Sequence, residues 1–205
     1  MATSRVKTSS ILQGFPKSRS LLAGNPYKFQ YSYEAIQTQT AGVGGTASLT
    51  FSSIPQTYTH LQIRVMSRSG EVTSSGSNNL IRFNGDSVYT NYYSHFLTGG
   101  GASATATSRQ TTSYSGAACV STFGTGSTAN AFGVSIIDIL DYTNTNKNKV
   151  VRSLTGGDAN GSGEAGIYSG VWLNTAAITS ITMIGFNGGT LPQYSTYALY
   201  GIKGV

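Results

Sequence analysis

The sequence predicts an all-β fold: an antiparallel two-sheet sandwich, jelly-roll-like, with an extended N-terminal arm. Three observations carry that expectation. From Tyr27 onward, apolar and polar residues alternate with a period of two, the pattern of half-buried strands. The 205 residues include 26 Gly and 13 Tyr, which suits many strands joined by tight turns. No ten-residue window offers a capped amphipathic helix, and strand runs recur every 10 to 18 residues or so, a spacing that favours a sandwich over any βαβ arrangement.

Two parts follow from this reading: a basic anchoring arm over residues 1–26 and a β-sandwich domain over 27–205. The first 28 residues hold five of the 13 basic side chains (Arg5, Lys7, Lys17, Arg19, Lys28) and no acid. Such a Gly/Ser/Pro-punctuated stretch buries too little apolar surface to fold alone. Pro16 and Pro26 favour extended or turn backbone just before them. Ile11, Leu12, Phe15, Leu21 and Leu22 are large apolar anchors without a sustained helical period. Fully extended, the arm reaches at most about 90 Å, enough to cross onto a neighbouring subunit.

In the body, Phe29, Tyr31 and Tyr33 alternate with Gln30, Ser32 and Glu34, and a short strand lies at Ser48–Phe51. Leu61, Ile63 and Val65 alternate with polar neighbours. Leu80–Phe83 precedes the turn signal Asn84-Gly85-Asp86. Tyr89–Leu97 reads as aromatic-rich strand, Gly99–Ala106 as a loose loop, Thr111–Phe123 as strand and Gly124–Asn130 as a turn. Ala131–Tyr142 is the most apolar segment and reads as a central strand, with Asp141–Asn148 as a polar hairpin tip. Val150–Leu154, Ile167–Leu173, Ile178–Phe186 and Tyr194–Ile202 complete about ten or eleven strands, and Gly156–Gly166 reads as a glycine-rich loop.

Composition narrows the function. Only 10% of residues are charged, well below the roughly 25% of ordinary soluble domains. The net charge of +6 belongs almost wholly to the N-terminal stretch. In the body, eight basic residues face seven acids, leaving no basic stripe of the kind nucleic-acid binding needs. Cys119 lies in an apolar run, so it reads as a small buried hydrophobe with no disulfide partner. No run approaches the 18 or so apolar residues of a membrane span, and the N-terminus lacks a signal-peptide core. Synthesis in a host cytoplasm is expected, with neither membrane nor nucleic acid as partner.

Candidate chemistry is sparse. His60 and His95 sit in no metal-binding spacing and read as partly buried strand histidines. Asp138 and Asp141 could form a glycosidase pair, but odd spacing on a strand puts them on opposite faces, so Asp141 reads as turn-capping. Asp158-Ala-Asn160-Gly-Ser162-Gly-Glu164 repeats the start of a calcium loop, then has Ser169 where the bidentate Glu belongs. The tyrosines and Trp172 read as core and cross-strand pairs. No catalytic residue, metal ligand or cofactor is expected.

Four segments carry a resemblance. They are Gly14-Phe-Pro-Lys-Ser-Arg-Ser-Leu-Leu-Ala-Gly-Asn25, Ser53–Arg64, Ile137–Ser153, and the ending Ala177–Met183 with Tyr197–Gly204. They resemble a group of small structural proteins of tailed bacteriophages, frequent among phages of aquatic bacteria. The resemblance implies a non-enzymatic virion component on the particle's exterior: capsid decoration or cement, or alternatively a tail-associated fibre or receptor-binding protein. The absence of stalk repeats favours decoration. Implied partners are the major capsid protein or tail subunits, two further copies in a homotrimer, and, under the alternative, host surface glycans. The expected anchoring residues are Arg5, Lys7, Lys17 and Arg19 for charge-assisted contacts, with Phe15, Leu21 and Leu22 filling pockets.

Overall fold

The computed structural model describes residues 32–72, 77–101, 103–109 and 116–204. Ser32–Val205 make one compact unit. The anchoring arm, 1–26, and the start of the first expected strand lie outside the described residues.

The described residues form twelve strands: β1 (Tyr33–Thr40), β2 (Ser48–Phe51), β3 (His60–Ser67), β4 (Ser77–Phe83), β5 (Tyr92–Gly100), β6 (Ser103–Arg109), β7 (Ala117–Thr122), β8 (Gly133–Ile139), β9 (Lys149–Asp158), β10 (Gly163–Trp172), β11 (Ile181–Gly185) and β12 (Thr196–Ile202). All pairings are antiparallel. An eight-stranded sheet runs β1-β12-β3-β8-β9-β10-β5-β6, and a four-stranded sheet runs β2-β11-β4-β7. The all-β sandwich expectation holds.

The strand order is that of a jelly roll. β1, β2, β3 and β4 pair in turn with β12, β11, β8 and β7, so the chain is one long hairpin rolled into two sheets. Two further hairpins, β5–β6 and β9–β10, are inserted into that roll and widen one sheet from four strands to eight. The expected loops Gly99–Ala106 and Gly156–Gly166 are, in fact, largely the arms of these hairpins.

Glycine misleads in those segments because close packing requires it there. A Cβ on Gly157 would lie 2.6 Å from the Phe123 ring, and one on Gly166 would lie 2.7 Å from Thr98 Cγ2. Only residues 159–162 turn. Asn160 (φ 64°) and Gly161 (φ 90°) give the two positive φ values of a type I′ hairpin. Asn84 (φ 50°) and Gly85 (φ 69°) form the same kind of turn after β4, closed by Asp86 N–H donating to Phe83 O (2.8 Å), though it joins no hairpin.

The core lies between the sheets. Leu61, Ile63, Val65, Ile137, Ile139, Val151, Trp172, Tyr197 and Leu199 of the large sheet pack against Phe51, Ile81, Phe83, Cys119, Ile181 and Met183 of the small one. Across it, Asn79 of β4 donates to Ser67 Oγ (3.1 Å) and to Tyr197 OH (2.9 Å). Cys119 is fully buried, as its apolar neighbours indicated.

One edge of the small sheet is strand β7, and hydroxyl side chains of the large sheet satisfy it. Ala118 N–H donates to Ser94 Oγ of β5 (2.9 Å), while Ser153 Oγ of β9 donates to Cys119 O. This is why buried Ser94, Ser153 and Thr155 replace aliphatics on the inner faces of β5 and β9. A buried strand edge must find partners for its backbone groups.

Candidate interaction surface

The outer face of the large sheet carries the molecule's most unusual surface. Strand pairing sets its residues in rows that cross the strands. One row is Ile136–Leu154–Ile167–Leu97, continued by Ala106 on β6. These four large side chains are 43, 62, 51 and 53% exposed. Beside it runs Met66–Val134–Gly156–Ala165–Gly99, tall at the β3 end and low at the β5 end. The small residues leave a groove of about 650 Å³ between Val134, Ile136, Leu154 and Ala165.

On the other side of the apolar row lies a polar one: Gln62–Asp138–Arg152–Ser169–His95. Asp138 accepts from Gln62 Nε2 (2.9 Å) and Arg152 (3.0 Å). Beyond it, Val150, Val171 and Tyr93 form a second apolar row. The β1 end differs in chemistry: Tyr33 and Tyr200 stack at 4.8 Å, and the Arg64 guanidinium lies 5.5 and 5.6 Å from their ring centres.

Strand β8 thus sits centrally, as its apolar sequence indicated, yet only its Ile137 face is covered by the small sheet. A strand apolar on both faces is usually buried on both. The covering layer for Val134 and Ile136 is not found among the described residues. The signal for this face was the apolar second phase of β8 and β9: Val134 and Ile136 beside Ile137, and Val150 and Leu154 beside Val151.

The other candidate residues fall into structural roles. Asp138 and Asp141, expected on opposite faces, both line one depression of about 300 Å³ at the β8–β9 tip, with Leu140, Lys147, Asn148, Val150 and Arg152. Pairing stops at Ile139, and Asp141 has a left-handed φ of 49°, so strand alternation does not extend to it. Its carboxylate accepts from Lys147, and that hydrogen bond and charge hold its carboxyl below the usual range. A general acid needs the opposite shift.

The tip itself is pinned by Lys149. Its buried ammonium donates to the carbonyls of Asn144, Lys147 and Thr175. Burial lowers its pKa.

His60 is half-buried, and its Nδ1 accepts from Asp141 N–H (3.0 Å). His95 is exposed on the outer face, which corrects the expectation of burial. The stretch resembling a calcium loop is the β9–β10 turn. Asp158 Oδ1 accepts from Gly161 N–H (3.0 Å), and the Glu164 carboxylate is turned to Ser121 and Tyr168. Among the described residues no three His, Cys, Asp or Glu side chains converge on a common point. Each of the seven acids accepts a hydrogen bond.

The aromatics pair as expected, Phe83 with Trp172 and Phe96 with Tyr168. The seven anchoring residues, Arg5, Lys7, Phe15, Lys17, Arg19, Leu21 and Leu22, lie outside the described residues. Comparison of the chain with protein-family models, curated proteins and solved structures finds no match.

Proposed function

We propose that this chain is a non-enzymatic structural protein of a tailed-phage virion, acting as a capsid decoration or cement subunit. The observation that carries the reading is the outer face of the large sheet. Five strands of exposed apolar rows on one copy of the jelly roll are a surface made to be covered by another subunit. The tied state of the acids and the resemblance of the four segments point the same way. In this reading the arm docks on the shell, with Arg5, Lys7, Lys17 and Arg19 on acidic groups and Phe15, Leu21 and Leu22 in pockets. Each docked arm adds buried area that only the assembled particle has, and so stabilises it by mass action.

Quantitative mass spectrometry of purified particles tests this. One copy per few major capsid subunits is the expected result. A few copies per hundred would move the chain to the tail and favour host-glycan recognition. Absence from the particle would end the proposal. Deleting residues 1–25 should abolish incorporation, and retained incorporation would dismiss the arm as the anchor.

A further inference from the structure

From the rows on the outer face we infer that the large sheet pairs with a second copy of this chain. The two copies are related by a two-fold axis that runs along the strands between β9 and β10. This inference stands apart from the virion reading and holds or fails without it.

Size is the first argument. An axis between β9 and β10 sets strands opposite one another in pairs, so six take part: β3, β8, β9, β10, β5 and β6. Six strands about 4.8 Å apart, with three outward residues about 6.8 Å apart along each, make a face of about 29 by 20 Å. Two such faces cover about 1,200 Å² together before side-chain relief is counted, which is where specific interfaces begin.

Self-complementarity is the second argument. An axis along the strands keeps each row opposite itself and reverses the order of strands. Leu154 then meets Ile167 of the second copy, and Ile136 meets Leu97, so the apolar row closes on itself. In the adjoining row, Val134 comes over Gly99 and Gly156 over Ala165, which sets the tall end of one groove into the low end of the other. In the polar row, Arg152 comes opposite Ser169, and Asp138 comes opposite the exposed His95 of the second copy. Apolar meets apolar, Val134 meets the low end at Gly99, and no like charges are brought together. This is the isologous pattern a two-fold contact requires. Aligned sheets pack about 30° off parallel, so the match is closest at the axis, where Leu154 and Ile167 lie.

The full chain should sediment at about 43 kDa at micromolar concentration, twice the 21.4 kDa of one chain. Leu154→Asp and Ile167→Asp replace exposed residues and leave the core intact. Each should weaken association at least about 100-fold without changing the circular dichroism spectrum. Register is tested with Ile136→Cys and Leu97→Cys. Within one chain these positions are three strands apart, about 14 Å, too far for a disulfide. Under oxidation, a mixture of the two variants should cross-link, and either alone should not.

A monomeric chain would overturn the inference, as would a trimer near 64 kDa, which is about three times the 21.4 kDa of one chain. An unchanged dimer in Leu154→Asp would move the contact to another face. A monomer that becomes dimeric when Phe15, Leu21 and Leu22 are replaced by Asp would assign the face to the chain's own arm.

Discussion

Asp86 shows how far one side chain can organise this fold. Its carboxylate accepts from Trp172 Nε1 (2.7 Å), Asn91 Nδ2 (2.8 Å) and Val88 N–H (2.9 Å), and so joins the β4–β5 connection to the end of β10. Burial pushes its pKa up, but the three hydrogen bonds together hold it below the ordinary value of 3.8. Asp86→Ala leaves the buried indole N–H without its acceptor and should cost about 2 to 3 kcal/mol, read from urea midpoints. Since the folded-state pKa is depressed, the wild-type contribution is present above pH 4 and is lost as pH falls below it. The gap between wild type and variant should therefore narrow in acid. At Gly170 the constraint is steric: an added methyl would meet Ala117 Cβ at 2.6 Å and Val151 Cγ2 at 3.0 Å. Gly170→Ala should cost about 1 to 3 kcal/mol on the same assay.

Among the elements, what the sequence made legible was local chemistry. Asn-Gly at 84–85 announced a turn and has the positive φ values that turn needs; Asn160–Gly161 has them too, inside a stretch read as a longer glycine-rich loop. The period of two located the Leu61–Val65 core face correctly. What stayed hidden depended on partners distant in sequence. Ser153 and Thr155 are polar, yet they point inward because strand β7 ends the small sheet against them. Gly157 of β9 and Gly166 of β10 read as loop for the same kind of reason, since only the packing of Phe123 and Thr98 against them explains them. Ser153→Ala removes the donor to Cys119 O and should destabilise by about 1 to 2 kcal/mol. Ser153→Thr, which keeps the hydroxyl, should recover part of that loss in the same thermal melts.

For the molecule as a whole, the sandwich class was legible and the candidate surface was not. Exposure of Ile136 or Leu154 is decided by which sheet covers which face, and strand spacing does not encode that. The core also fixes an alkaline limit. Burial pushes the Tyr92 phenol up to about 12, and it raises Tyr197 and the Cys119 thiol as well. Groups raised in the folded state stabilise it fully below their unfolded values of 10.0 for tyrosine and 9.0 for cysteine, and that contribution fades as pH climbs toward 12. Urea midpoints should therefore fall steeply between pH 10 and 12, and tyrosinate absorbance at 295 nm should rise in step with unfolding.

The rolled hairpin has a consequence for how the protein is made. Its last two strands are interior ones: β12 enters between β1 and β3, and β11 between β2 and β4. On a ribosome, the first strands emerge with their central neighbours still unsynthesised, and Tyr197 and Leu199 of β12 follow every other strand. The nascent chain therefore carries open strand edges and an unfilled core until β12 has been made. Folding is then a single late event that demands pairing across nearly the full length of the chain, so it should be slow. A chain stopped after Ser195 would lack β12 and leave no partly useful product.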